Sequence, residues 1–168
     1  MAEFKGLQKH SVCPDVSTPH VNADISNDLQ RFAGHISILP ASYSAVLGTW
    51  GFNIDATYYL SGSFINLSGL NGDYMDFKIY LAKGTYTLVL LVPTATNSAI
   101  IDFDIDAVEV ASFDTYSATV TLNVIFKKIS ISISTDGLKT LRMRVDGANA
   151  SSTGLYARPQ YIGLYRTA

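Results

Sequence analysis

An all-β domain, built as an antiparallel sandwich or barrel, is what the 168 residues of this chain spell out. Apolar and polar residues alternate with a period of two along several stretches, the mark of a strand with one buried face. Turn-forming Gly, Asn and Asp punctuate those stretches at the spacing of sandwiches and barrels. Helical periodicity is nearly absent, so an α/β architecture would lack its connecting helices.

Residues 1–40 stand apart. They hold His10, His20 and His35, the single cysteine Cys13, and Pro14, Pro19 and Pro40. Periodicity is poor there, apart from one turn of helix that Asn27 would cap and Leu29 and Phe32 would pack. This stretch reads as an extended arm that takes its order from a partner. From residue 41 to 168 the chain reads as strands. Residues 46–52 and 58–67 are aromatic and β-branched, with breaks at Gly51 and Gly69. Asn71-Gly72-Asp73 is turn chemistry. Phe77, Ile79 and Leu81 then alternate with Lys78 and Tyr80. After Lys83-Gly84, residues 85–92 become apolar on both faces, as in a central strand. Residues 93–98 form a loop. Ile101, Phe103 and Ile105 alternate with Asp102, Asp104 and Asp106, and Val108, Val110 and Phe113 return in a hairpin that turns near Asp106-Ala107. Residues 120–126 and 129–133 are two further strands. Asp136-Gly137 turns into a strand in which Leu141, Met143 and Val145 oppose Arg142 and Arg144. A polar turn at 146–154 leads to an aromatic closing strand, residues 156–166. The sum is roughly eight to ten short strands.

Composition narrows the function. Hydrophobic residues make up 48% of the chain and charged residues only 15%, against a usual charged share of about 25%. So charge-poor a chain carries much neutral surface, or a surface meant for another subunit. A net charge of −2 gives no electrostatic case for nucleic acid. One cysteine excludes an internal disulfide framework. The first twelve residues lack a signal-peptide pattern, and no apolar run reaches the length of a membrane-spanning helix.

Three segments carry a resemblance. Gly84-Thr85-Tyr86-Thr87-Leu88, the hairpin at 101–116 and the stretch from Gly137 through Leu141-Arg142-Met143-Arg144-Val145-Asp146-Gly147 to Asn149-Ala150-Ser151-Ser152-Thr153-Gly154 occur in that order. Together they resemble the jelly-roll modules of tailed-bacteriophage structural proteins, over roughly residues 41–168. The chain departs from that pattern at Ala148, where Lys is frequent, and at Pro159, which interrupts the closing strand and calls for an edge or bulge. The resemblance implies a virion component made in the host cytoplasm, of the decoration, fibre or collar type.

The candidate chemistry is sparse. His10, Cys13, His20 and His35 are the potential zinc ligands, but only His10 and Cys13 are closely spaced and no second pair follows, so they read as arm residues. Asp102, Asp104 and Asp106, with Asp76 and Asp114, offer carboxylates for Ca²⁺ or for glycosidase chemistry. Their regular alternation reads instead as the solvated face of an amphipathic strand. Tyr58, Tyr59, Tyr74, Tyr80, Tyr86, Tyr116, Tyr156, Tyr161, Tyr165 and Trp50 provide rings that pack within sheets, line interfaces or stack on sugars. Arg142, Arg144, Arg158 and Arg166 form a cationic group suited to a neighbouring subunit or to solvent. The sequons at Asn66 and Asn149 read as accidental. With every histidine in the arm, no Ser-His-Asp arrangement is available.

The expectation is therefore a non-enzymatic antiparallel β-sandwich of jelly-roll type, residues 41–168, behind an arm at 1–40, with no cofactor and no metal. Its first functional reading is a capsid decoration protein. In that reading it is a homotrimer through its β domain and holds the major capsid protein or another virion protein through Phe4, Leu7, Leu29 and Phe32. The alternative is a carbohydrate-binding jelly-roll module of a fibre or collar that recognises a host-surface glycan. Neither nucleic acid nor membrane is expected as a partner.

Overall fold

The computed structural model describes residues 34–54, 57 and 63–168. Phe4, Leu7, Leu29, Phe32, His10, Cys13, His20, Tyr58 and Tyr59 lie outside these residues. The strands are β1 (His35–Ile38), β2 (Ala45–Leu47), β3 (Trp50–Asn53), β4 (Ser63–Asn66), β5 (Tyr74–Leu81), β6 (Gly84–Thr94), β7 (Ile100–Ile105), β8 (Val108–Asp114), β9 (Thr121–Ile133), β10 (Gly137–Val145) and β11 (Tyr161–Arg166). A single 3₁₀ turn, Pro40–Ser42, is the one helical element among the described residues. None of their helices is long and apolar enough to cross a membrane.

Two antiparallel sheets form a sandwich. One runs β1-β11-β6-β9 and the other β2-β5-β10-β7-β8, while β3 and β4 make a separate two-stranded ribbon. Alternation decides what lies between the sheets. Tyr86, Leu88 and Leu90 of β6 and Ile162 and Leu164 of β11 face Met75 and Phe77 of β5, Ile101 and Phe103 of β7, and Leu141 and Met143 of β10 in one core cluster. Each of these side chains is fully or almost fully buried. Burial of a side chain of this size stabilises the fold by about 1.5–3 kcal/mol.

The hairpin between β7 and β8 turns where expected. Asp106 and Ala107 both have positive φ, +50° and +67°, as a two-residue primed turn requires. Elsewhere the structure departs from the sequence reading in instructive ways. Residues 46–52 are two strands rather than one, because the chain bends at Gly48, whose φ is +88°, and β2 and β3 join different sheets. A Cβ at Gly48 would lie 2.3 Å from the Asp73 carboxylate, so only glycine fits there.

β6 continues past residue 92 through Pro93, which falls at a register shift opposite β9 and so escapes the need for a ladder donor. The two strands expected at 120–126 and 129–133 are one, β9, with register shifts that coincide with positive φ at Asn123 and Ser130. Pro159 precedes β11, so the closing strand starts at Tyr161 and not at Tyr156. Finally, β1 falls within the stretch read as the arm, and its four residues pair with β11 from His35↔Tyr165 to Ile38↔Ile162.

Candidate functional site

The outer faces of the two sheets are built from the residues that alternate with the core. On the five-stranded sheet, register places Asp76, Arg142 and Asp104 side by side in one row and Tyr74, Arg144 and Asp102 in the next. The Arg142 guanidinium forks onto Asp76, with Nε 2.7 Å from Oδ1 and Nη2 2.9 Å from Oδ2, and lies 3.7 Å over the Tyr74 ring. Its hydrogen bonds to Asp76 raise the Arg142 pKa further above its already high ordinary value. Arg144 donates to Asp102 at 3.1 Å and to Asp146 at 2.7 Å, and its Nε lies 3.8 Å from Asp104.

The carboxylates read as a solvated strand face are thus corrected: Asp76 and Asp102 are buried, and the arginines of β10 neutralise them. Burial pushes the Asp102 carboxyl up to about 6, and the nearby Asp146 and Glu109 add to the rise. Asp106 is held below the ordinary range, chiefly by the backbone N–H of Thr140. Asp114 accepts from Asn149 Nδ2 at 2.6 Å and from the Tyr116 N–H at 2.9 Å. No group of three or more metal-ligating side chains occurs among the described residues. A groove of about 280 Å³ on this face is lined by both signs of charge, Asp76, Asp106, Lys78 and Arg142.

The four arginines do not assemble. Arg158 is buried and donates to Ser98 and Asn97, while Arg166 donates to the carbonyl of Lys83, so both fasten loops. Asn66 is fully buried, with its amide bonded to the backbone of Leu155 and Ala157, which leaves its sequon inaccessible. Tyr86 belongs to the core, and Trp50 donates to the carbonyl of Leu47.

The four-stranded sheet presents something else. Tyr161, Gly163 and Tyr165 of β11 alternate with the buried Ile162 and Leu164 and so share the outer face. A Cβ on Gly163 would sit 2.7 Å from the Tyr161 hydroxyl and 2.9 Å from a Tyr165 ring carbon. The glycine therefore opens the space into which both tyrosines lean, and their hydroxyls meet at 3.2 Å. β1 completes the cluster. His35 stacks on Tyr165 at 4.3 Å with 13° between ring planes. Its Nε2 lies 2.8 Å from the Tyr161 hydroxyl, and Ser37 Oγ reaches the same hydroxyl at 3.1 Å. The bond to Tyr161, aided by burial, raises the Tyr165 phenol above its ordinary pKa.

Beside Tyr165, a groove of about 410 Å³ runs over β6 and β9, lined by Thr87, Val89, Ile125, Lys127, Tyr165 and Thr167. Of the tyrosines singled out from sequence, the structure thus brings two together here. It adds His35, Gly163, Thr87 and Lys127, which sequence reasoning did not connect with them. The one local signal was the period-two spacing of Tyr161-Ile162-Gly163-Leu164-Tyr165.

This geometry is similar in overall form to known proteins. A xanthan lyase from Paenibacillus matches 74% of this chain over 12% of its own length, at 24% identity and a TM-score of 0.62. The CBM36-1 domain of a multidomain xylanase from the hindgut metagenome of Trinervitermes trinervoides matches 80% of this chain over 98% of its own, at 19% identity and a TM-score of 0.61. A carbohydrate-binding module CBM36 in complex with calcium and xylotriose matches 77% over 98%, at 19% identity and a TM-score of 0.59. The chain shares their β-sandwich jelly-roll fold. No protein-family model matches the sequence, and no curated protein does.

Proposed function

We propose that this β domain is a non-catalytic glycan-binding module that receives a sugar chain on the outer face of its four-stranded sheet. One observation carries the reading: Tyr165, which leans with Tyr161 over Gly163, is itself a wall of the Thr-lined groove. A pyranose presents C–H groups on one face and hydroxyls around its rim. The first suit an aromatic ring and the second suit Thr87, Thr167 and the tyrosine hydroxyls. Enclosure by a sheet, rather than by loops, keeps the groove preformed and limits the ordering cost of binding.

The fold shared with carbohydrate-binding modules supports this reading, and so does the fate of the carboxylates. Asp76, Asp102 and Asp104, the carboxylates at the centre of the five-stranded sheet, are engaged by Arg142 and Arg144 and so are not free to serve as an acid–nucleophile pair. Placed in the setting that the phage resemblance implies, the module belongs on a fibre or collar and reads a host-surface glycan. Capsid decoration through Phe4, Leu7, Leu29 and Phe32 rests on residues outside the described ones, and nothing on the described surface favours it over glycan binding.

The test is a glycan array followed by titration of the best hit. Wild-type protein should bind with a Kd in the micromolar range, and Tyr165→Ala should weaken it about tenfold while thermal unfolding stays cooperative. Unchanged affinity in Tyr165→Ala, or an array without hits, would remove the basis for the proposal.

A further inference from the structure

The four-stranded sheet carries no acid. β1, β6, β9 and β11 contain neither Asp nor Glu, whereas Asp76, Asp102, Asp104, Glu109 and Asp114 all lie in strands of the five-stranded sheet. The ionisable side chains of the first sheet, apart from its tyrosines, are His35, Lys127, Lys128 and Arg166, none of which carries negative charge at any pH. Lys127 lines the groove beside Tyr165 and makes no ion pair or hydrogen bond with any described residue.

Register fixes where this ammonium stands. Gly163 pairs with Val89, and Val89 pairs with Lys127. The lysine backbone is therefore two strand spacings, about 10 Å, from the floor of the tyrosine platform. A sugar stacked on the rings places its own substituents, or those of the next residue along, within reach of a lysine side chain.

We infer that the glycan held on this face is acidic, a uronic-acid saccharide whose carboxylate is met by Lys127. The inference rests on the glycan-binding reading of the same face and adds the class of sugar to it. Two physical arguments carry it. A cation without a counter-charge among the described residues, on a sheet whose strands carry no carboxylate to repel an anion, is complementary to a negative ligand. The opposite sheet shows the contrast, since both arginines of β10 already hold carboxylates of their own chain and its groove is lined by both signs. A neutral sugar would leave Lys127 with no role, whereas a carboxylate would gain a charge-assisted hydrogen bond.

The experiment uses the full chain and an array that carries uronic-acid oligosaccharides beside their carboxyl-reduced, neutral counterparts and sulfated analogues. Hits are titrated against wild type, Lys127→Met and Tyr165→Ala at low and high salt. The expected result is binding of the acidic sugar about fivefold tighter than its neutral counterpart. That preference should vanish in Lys127→Met and shrink at high salt, while Tyr165→Ala loses both sugars. Equal binding of acidic and neutral sugars, with Lys127→Met unchanged, overturns the acidic assignment and leaves the glycan site standing. Preference for the sulfated analogue overturns the carboxylate assignment. Binding of neither class removes the site and the inference together.

Discussion

The two sheets of this sandwich share one core but solve the problem of their outer faces in opposite ways. On the five-stranded sheet, acids from β5 and β7 flank arginines from β10, and the charges are spent on one another. On the four-stranded sheet, rings and hydroxyls from β1 and β11 bond to one another beside a groove whose lining includes Thr87 of β6 and the ammonium of Lys127 of β9, which pairs with no described residue. A face that satisfies itself stabilises; a face that does not is available to a ligand. The contrast explains why the charge-rich sheet, which drew attention in the sequence, is the poorer candidate for recognition.

Substitutions on each sheet should therefore have effects that do not cross over. The largest is expected from Arg142→Ala, which strands the buried Asp76 carboxylate. Removing one partner of a buried pair costs about 3–5 kcal/mol, and the partial exposure of Arg142 brings the expectation to about 2 kcal/mol. Chemical denaturation should show that loss with glycan affinity unaltered; a loss of affinity of the same order would mean that the two faces are coupled. Next comes Gly163→Val, which forces the tyrosines aside from a site where even a Cβ has no room. Affinity should fall about tenfold or more, in line with loss of the aromatic contact. The midpoint of unfolding should move little, because the clashing atoms are the outer ends of side chains.

The smallest effect concerns pH. Burial raises Asp102 from its ordinary 3.8 to about 6, so between those values the folded chain binds more protons than the unfolded one. The stability this residue contributes is complete below the lower value and is lost as pH rises through the upper one. Asp102→Asn mimics the protonated acid. Its melting temperature relative to wild type should therefore climb from pH 4 to pH 7, and a flat difference across that range would show that Asp102 titrates alike in the folded and unfolded chain.

Much of the fold was legible because strands announce themselves locally. Phe77-Lys78-Ile79, Ile101-Asp102-Phe103 and Leu141-Arg142-Met143 each show their buried face within three residues, and Asp106-Ala107 sits between two such runs. What could not be read was lateral. The aspartates of β7 and the arginines of β10 each look like a solvated face on their own, and only the register Arg142↔Asp104 and Arg144↔Asp102 turns two solvated faces into one ion-paired lattice. The bulges at Asn123 and Ser130 hid the continuity of β9, since they break the alternation on which the eye relies. His35 looked like an arm residue because its partners Tyr161 and Tyr165 lie at the other end of the sequence. The same distance concealed the site: the tyrosines were visible, but not the glycine that shapes them nor the histidine that stacks on them.

That distance also sets a timetable. His35 and Tyr161 are separated by 126 residues, so a ribosome adding 5–20 residues per second makes β1 about 6–25 s before its partner β11. Once β6 is made it too waits for β11, so that Ile38, Leu88 and Leu90 have no finished sheet around them until the closing strand arrives. The aromatic platform comes into being only when β1 and β11, the first and last described strands, have met, so a fragment that lacks β11 lacks the platform as well.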